Sequence, residues 1–215
     1  MDNSQQNFST LLRELNKIGI ALSAEKDHDR LLELILVKAM EITNADGGTL
    51  YMVTEDKRLS FEILHNRSLN IHKGGTSGEE ISFYPIALYD DEGQPNNHMV
   101  AAAAVISGET VNITDAYDSE EFDFSGTRSF DNKMGYRSIS FLTVPMTNHE
   151  NDIIGVLQLI NAMKKDSSDV IPFSALDQQL VESLASQAAV TITNKTLIDA
   201  QMNLFDSFIQ LIADA

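Results

Sequence analysis

Apolar residues recur along this chain in three rhythms, and each predicts a different kind of element. Near the start, Phe8, Leu11, Leu15, Ile18 and Leu22 alternate by three and four residues, with Leu12 widening the stripe. That spacing puts them on one face of a helix over about residues 5–24. Gly19 interrupts the helix, at a cost of roughly 1 kcal/mol relative to Ala. The stretch Ser23–Asp29 is mostly polar and rich in capping side chains, so a second helix is expected over 28–43. Its Leu31, Leu32, Leu34, Ile35, Leu36, Ala39, Met40 and Ile42 cover most of the circumference, which predicts burial on nearly every side. Asn44–Gly48 tolerates the left-handed backbone that ends a helix.

The middle of the chain alternates instead. Runs at 49–53 and 59–65 flank the turn residues Asp56–Arg58 and read as a hairpin. Residues 66–97 have little periodicity, carry Gly74, Gly75, Gly78, Pro85, Gly93 and Pro95, and predict only a short strand at Glu80–Tyr84. A connection this long is often functional or mobile. An Ala-rich helix over 98–107 ends at Gly108, and a strand follows at 110–113. Residues 115–136 read as loop and short helical turns, before strands at 140–146 and 153–161 around the turn 148–152.

The third rhythm begins at Ser174. Leu184, Ala188, Thr191, Lys195, Ile198, Met202, Phe205, Ile209 and Ile212 alternate by four and three, with no Gly or Pro to break them. This predicts one helix of about 40 residues, far beyond the usual three or four turns. Its distal half is expected to need a partner helix to cover the stripe. Hairpin connections dominate and no strand–helix–strand unit repeats. The fold class is therefore α+β, an antiparallel central sheet flanked by helices, with long N- and C-terminal helices.

Composition narrows the function. The 215 residues carry 15 Lys plus Arg against 32 Asp plus Glu, a net charge of −17. Such a chain repels phosphate backbones, so no nucleic acid is expected as a partner. Hydrophobic residues at 43 % suffice for a real core. No apolar run approaches the ~20 residues of a membrane helix, and residues 1–6 do not read as a signal peptide. There is no Cys, which excludes disulfides, thiolate metal sites, a Cys nucleophile and a covalently held bilin, and fits a cytoplasmic location. The five His, at 28, 65, 72, 98 and 149, include no pair spaced three or four apart, so no metal site is expected. No Ser or Thr has a partnered base in sequence, and Gly74-Gly75 lacks the strand–loop–helix setting of a phosphate loop. No catalytic residue is assigned, and the chain is not expected to be an enzyme.

Candidate binding chemistry gathers between residues 115 and 138. Asp115 is either a turn-former or an acceptor at the edge of a pocket. Tyr117, Phe122, Phe124 and Phe130 suit either a planar ligand or ordinary loop packing. Arg128 and Arg137 either meet an anionic group or pair with nearby acids. Asp131, four residues before Gly135, suits the cap of a single helical turn.

Three stretches carry a family resemblance. Gly108–Tyr117, Gly135–Met146 and Ile154–Asn161 resemble, in order and at the right distances, the strands around the ligand pocket of a GAF domain. The resemblance spans roughly residues 25–195 and implies a sensor, with Tyr136 and Ser138 joining Asp115, Tyr117, Phe122, Arg128 and Arg137 as ligand-binding candidates. Cyclic-nucleotide-binding members carry an Asn-Lys…Phe-x-x-x-Asp-Glu motif that locks the pocket. Asn161, Phe173 and Asp177 match it, whereas Ala162 and Gln178 depart from it. A cyclic nucleotide is thus one candidate ligand, with Lys164 or Lys165 as a displaced cation for Asp177.

The 124–131 run, the 157–162 stretch and the tail 204–215 also resemble GAF modules placed before bacterial HD-GYP-type phosphohydrolases, which are cyclic di-GMP phosphodiesterases. The resemblance implies three parts: a signalling and dimer helix at 1–24, a sensor domain at 25–195, and a connector helix at 196–215 leading to an output domain absent from this chain. The expected function is regulation of that phosphohydrolase through dimeric, coiled-coil helices. A dimerisation or spacer module without a ligand is the alternative. Methionine sulfoxide reduction, known in some relatives, uses cysteines that this chain lacks.

Overall fold

The computed structural model describes the backbone of residues 3–213 and the side chains of residues 13–213. Helices α1 (Asn3–Ala24) and α2 (His28–Thr43) lead into strands β1 (Ala45–Val53), β2 (Arg58–Asn66), β3 (Ile71–Gly74) and β4 (Ile86–Ala87). Then come α3 (Val100–Ser107), β5 (Val111–Ile113), α4 (Ser125–Met134), β6 (Phe141–Thr147), β7 (Ile153–Met163), β8 (Val170–Ile171) and α5 (Ala175–Ala213). The strands form one antiparallel sheet in the order β3-β2-β1-β7-β6-β5, with β4 also on β2 and β8 on β7. This is the α+β architecture the hairpin pattern predicts.

One face of the sheet is closed by α2, α5 and the end of α1. Asp27 caps α2 by accepting from the Arg30 N–H at 2.9 Å. Asn44, at φ 51°, ends the helix, and its side chain donates to the Met163 carbonyl at 2.8 Å, tying α2 to the end of β7. Leu32, Ile35, Leu36 and Met40 pack on Leu50, Leu142 and Leu157 and against Val181, Leu184 and Ala188 of α5. Ile18 and Leu22 bring α1 into the same core. A Cβ at Gly19 would run into the Gln187 side chain, so α1 lies close against α5 at this glycine. Phe8, Leu11 and Leu12 of the predicted stripe lie outside the described side chains.

The long helix has two regimes. Leu180, Val181, Leu184, Ala185, Ala188, Ala189 and Ile192 are buried, whereas Ile198, Met202, Phe205, Ile209 and Ile212 are each at least 50 % exposed. Leu204, Phe208 and Leu211 are exposed as well, so apolar surface extends beyond the single predicted stripe.

Two expectations are corrected. Glu80–Tyr84 is not a strand: β3 and β4 share the outer edge of β2, and residues 78–85 bridge between them without pairing. Within 115–136, residues 125–134 form a ten-residue helix, α4, ended by Gly135 at φ 64°. Asp131 is therefore a buried side chain inside this helix and not its cap.

Candidate functional site

The second face of the sheet is covered only in part. Tyr51, Leu59 and Val156 pack on Ala101 and Ala102 of α3, while Val100, Ile113, Ala116, Phe124 and Phe141 form a separate small cluster. Between these clusters and the 83–86 segment lies a cavity of about 430 Å³. Thr49, Tyr51, Phe61 and Gln158 of the strands line its base, and Phe83 and Tyr84 border it opposite Phe124 and Phe130. Tyr136, Ser138 and Phe141 complete the wall, giving eight aromatic residues around one space. No Lys or Arg contributes to the lining. The first turns of α3 and α4 border the cavity through Val100, Ala101, Gly126 and Thr127. Neither helix has a side-chain cap at Met99 or Phe124, although Asp123 accepts from the Ser125 N–H at 2.8 Å. Backbone N–H groups at such helix starts favour negative charge.

Three buried polar side chains pin the 136–140 segment against the cavity. Tyr136 donates to Asp46 Oδ2 at 2.6 Å, and the other Asp46 oxygen accepts from the N–H and hydroxyl of Ser68. Burial, and then the Asp46 carboxylate beside it, pushes the Tyr136 hydroxyl well above the ordinary phenol range. Asn161, at φ 58°, accepts from the Ile139 N–H at 2.7 Å and donates to the Tyr136 hydroxyl and the Arg137 carbonyl. Asp131 accepts from both the N–H and the hydroxyl of Ser138, at 2.7 and 2.8 Å, and from the Tyr117 hydroxyl at 2.8 Å. Deeper in the base, Gln158 accepts from the Tyr51 hydroxyl and donates to Thr143.

The structure divides the candidates. Tyr136 and Ser138 line the cavity, joined by Phe124 and Phe130. Asp115 lies off the lining and accepts from the Tyr117 N–H at 2.8 Å, the turn-forming alternative. Phe122 packs beside the Phe124–Phe141 cluster. Tyr117, Arg128 and Arg137 form their own group outside the cavity, with the two guanidinium carbons 5.8 and 4.1 Å from the Tyr117 ring centroid. Of the motif residues, Phe173 is buried in the main core. Asp177 accepts from the N–H and hydroxyl of Ser174, while its own N–H donates back to that hydroxyl. This reciprocal pair caps the start of α5. Among the described residues Asp177 makes no ion pair with Lys164 or Lys165.

Two features escaped the sequence. Asp46 gave no sign of its role, because a strand acid between Ala45 and Gly47 resembles a turn residue. His65 and His72, seven apart, meet as direct partners across β2 and β3 with ring centroids 5.0 Å apart. A spacing rule built for helices overlooks such a cross-strand pair. His72 Nε2 lies 2.9 Å from Glu33 Oε1, a charge contact without hydrogen-bond alignment, and His65 Nδ1 is buried without a partner. Burial, with His72 and Arg67 adding to it, holds His65 below the ordinary imidazole value. Among the described residues no group of three or more His, Asp or Glu is arranged to hold a metal ion. Among them too, no helix is long and apolar enough to cross a membrane.

Comparison with known proteins gives one family. The model of the GAF domain matches residues 27–192. The chain is 28 % identical over 207 residues to the dual 3′,5′-cyclic-AMP and -GMP phosphodiesterase 11A of Takifugu rubripes, covering 93 % of this chain and 21 % of that enzyme. It is 30 % identical over 156 residues to the cGMP-specific 3′,5′-cyclic phosphodiesterase of Drosophila sechellia, covering 68 % of this chain and 12 % of that enzyme. The chain thus spans about a fifth or less of these curated relatives. Among solved structures, the GAF domain of an Acinetobacter phosphoenolpyruvate-protein phosphotransferase superposes with a TM-score of 0.63 at 16 % identity, covering 93 % of this chain and 99 % of that one. The GAF domain/HD domain protein of Geobacter sulfurreducens superposes with a TM-score of 0.54 at 16 % identity, over 82 % and 98 % of the two chains. Both structural likenesses speak for the fold.

Proposed function

The chain belongs to the GAF domain family, whose members are regulatory modules, and we propose from that premise that the cavity beside α3 and α4 binds a small molecule and reports its presence through α1 and α5. The observation that carries this reading is the 430 Å³ space ringed by eight aromatic residues and bordered by two helix starts. Aromatic walls suit a planar ring, and the start of α3, without a side-chain cap, suits an anionic group, whereas Asp123 already holds the Ser125 N–H at the start of α4. A cyclic nucleotide combines both, and the names of the phosphodiesterase relatives support testing it first. The departures at Ala162 and Gln178 weigh against it, since the lock they belong to is incomplete.

In this reading residues 25–195 are the sensor and residues 1–24 and 196–215 are connectors that pair with those of a second copy. The exposed apolar surface of α5 beyond Leu197 supports such a partner. The connector leads to a phosphohydrolase of the HD-GYP type, and the chain itself performs no chemistry. The GAF/HD organisation named for the Geobacter protein supports that output, and the absence of Cys fits a cytoplasmic setting. The exposed α5 surface equally favours a second reading, a dimerisation or spacer module without ligand.

A thermal-shift screen with cyclic AMP, cyclic GMP and cyclic di-GMP separates the two. A ligand at a hundred times its dissociation constant adds about 2.7 kcal/mol, or several degrees. Phe130 is a half-buried wall of the cavity, so Phe130→Ala alters the space at little cost to the fold. A shift reduced by Phe130→Ala supports the sensor; an equal shift in that variant, or none with any probe, overturns it in favour of the spacer.

A further inference from the structure

The cluster of Tyr117, Arg128 and Arg137 stands apart from the cavity and has no role in the reading above. Tyr117 is half-buried in the turn after β5, Arg128 is half-buried on α4, and Arg137 is exposed just beyond that helix. Both guanidinium carbons lie within the ~6 Å of a ring centroid at which a cation feels the aromatic quadrupole, at 5.8 and 4.1 Å. In a chain with only 15 Lys and Arg against 32 Asp and Glu, two arginines would be expected to sit on carboxylates. They do not: among the described residues neither guanidinium makes an ion pair or a side-chain hydrogen bond.

One neighbouring acid is already engaged. Asp131 is 1 % exposed, and its oxygens accept from Tyr117 and from Ser138. It holds the Tyr117 hydroxyl and makes no ion pair with either arginine, and the exposed Asp123 feels the Arg128 charge without pairing with it. The neighbouring anchors are also fixed, since Asn161 holds the Arg137 carbonyl at 2.8 Å and Asp115 holds the Tyr117 N–H at 2.8 Å. A guanidinium beside an aromatic ring can still offer its N–H groups to a bidentate oxyanion.

We propose that Tyr117, Arg128 and Arg137 form an oxyanion-binding site outside the cavity, whose ligand is a dianionic phosphate monoester group. Two guanidinium groups within about 6 Å of one ring offer two charges and several donors, which match that group better than they match a single carboxylate. The site is independent of whatever the cavity holds, so the two are separable by experiment.

The test follows the arginine Nε–H resonances by NMR at constant ionic strength, titrating the intact chain with inorganic phosphate, with phenyl phosphate, and with succinate as a dicarboxylate. The expected result is joint, saturable movement of the Arg128 and Arg137 resonances with phosphate and phenyl phosphate at one dissociation constant. Other arginines should stay in place, and the affinity in Arg137→Gln should drop on the order of tenfold. Uniform small shifts of all six arginines would be non-specific screening and would overturn the site. An equal response to succinate would overturn the phosphate assignment. Phe130→Ala, which removes a wall of the cavity, should leave the titration unchanged; loss of the response there would also overturn a separate site.

Discussion

The two faces of the one sheet are built on opposite plans. Under α1, α2 and α5 the face is aliphatic and filled: Leu36, Leu50, Leu142 and Leu157 are essentially unexposed. Under α3 and α4 the same strands present Tyr51, Phe61 and Gln158 to a 430 Å³ space. The first face holds its shape by volume, so each side chain is braced by its neighbours. The second holds its shape by hydrogen bonds from Asp46, Asp131 and Asn161 to the 136–140 segment, which lets the space beside them stay open. A binding face can be hollow only if something other than packing keeps its walls in place.

The sharpest break between the faces is expected from truncation. Leu157→Ala leaves a void in the filled core and should cost about 2–5 kcal/mol in urea unfolding. Phe130→Ala, on a half-buried cavity wall, should cost about 1 kcal/mol or less, because its partner is already partly empty space. Equal losses would erase the distinction. Next in size, Asp131→Ala strands the Ser138 N–H and hydroxyl in a buried setting, at about 2 kcal/mol or more, with Asp131→Asn losing less. Tyr136→Phe removes the donor at Asp46 Oδ2 and should cost about 1–3 kcal/mol. A neutral result in denaturant unfolding would mean that the wall does not depend on that bond.

The histidine pair sharpens the comparison through pH. His65 is held below its unfolded value of about 6.5, so the folded chain binds fewer protons than the unfolded chain in the window below that value. Its contribution to stability is complete above about pH 6.5 and is lost as the pH falls through the lowered folded value. His65→Asn should flatten that part of the Tm-against-pH profile, and an unchanged slope would assign it to other groups. The smallest effect on the fold is expected from Met202→Glu, within about 0.5 kcal/mol because the side chain is 61 % exposed. The same change should abolish self-association in sedimentation if α5 pairs with a second copy.

The filled face was legible because its information is local. Periodicity at 28–43 and 153–161 marks which residues turn inward, and burial follows from that marking. The cavity face was legible only in pieces. Tyr136 and Ser138, singled out through resemblance, line the cavity, whereas Arg128 and Arg137 lie off that lining beside Tyr117, since a loop-rich stretch says little about which way a residue points. Asp46 and the His65–His72 pair were missed outright. Their partners lie ninety residues away in the first case and across a strand pairing in the second, where no short-range pattern reaches. The strand expected at Glu80–Tyr84 failed for a related reason. Its alternation is real, but the edge of β2 that it needed is taken by β3 and β4.

The length of α5 has a mechanical meaning. Its 39 residues run without a break, which corresponds to about 58 Å of rod at 1.5 Å per residue. The part beyond Ile192 projects about 30 Å from the last buried turn. A tilt of about 5° at that fulcrum sweeps the far end through nearly 3 Å, about half a helical turn. A rearrangement too small to notice among the packed alanines at its base would thus arrive at the tip as a displacement of side-chain size.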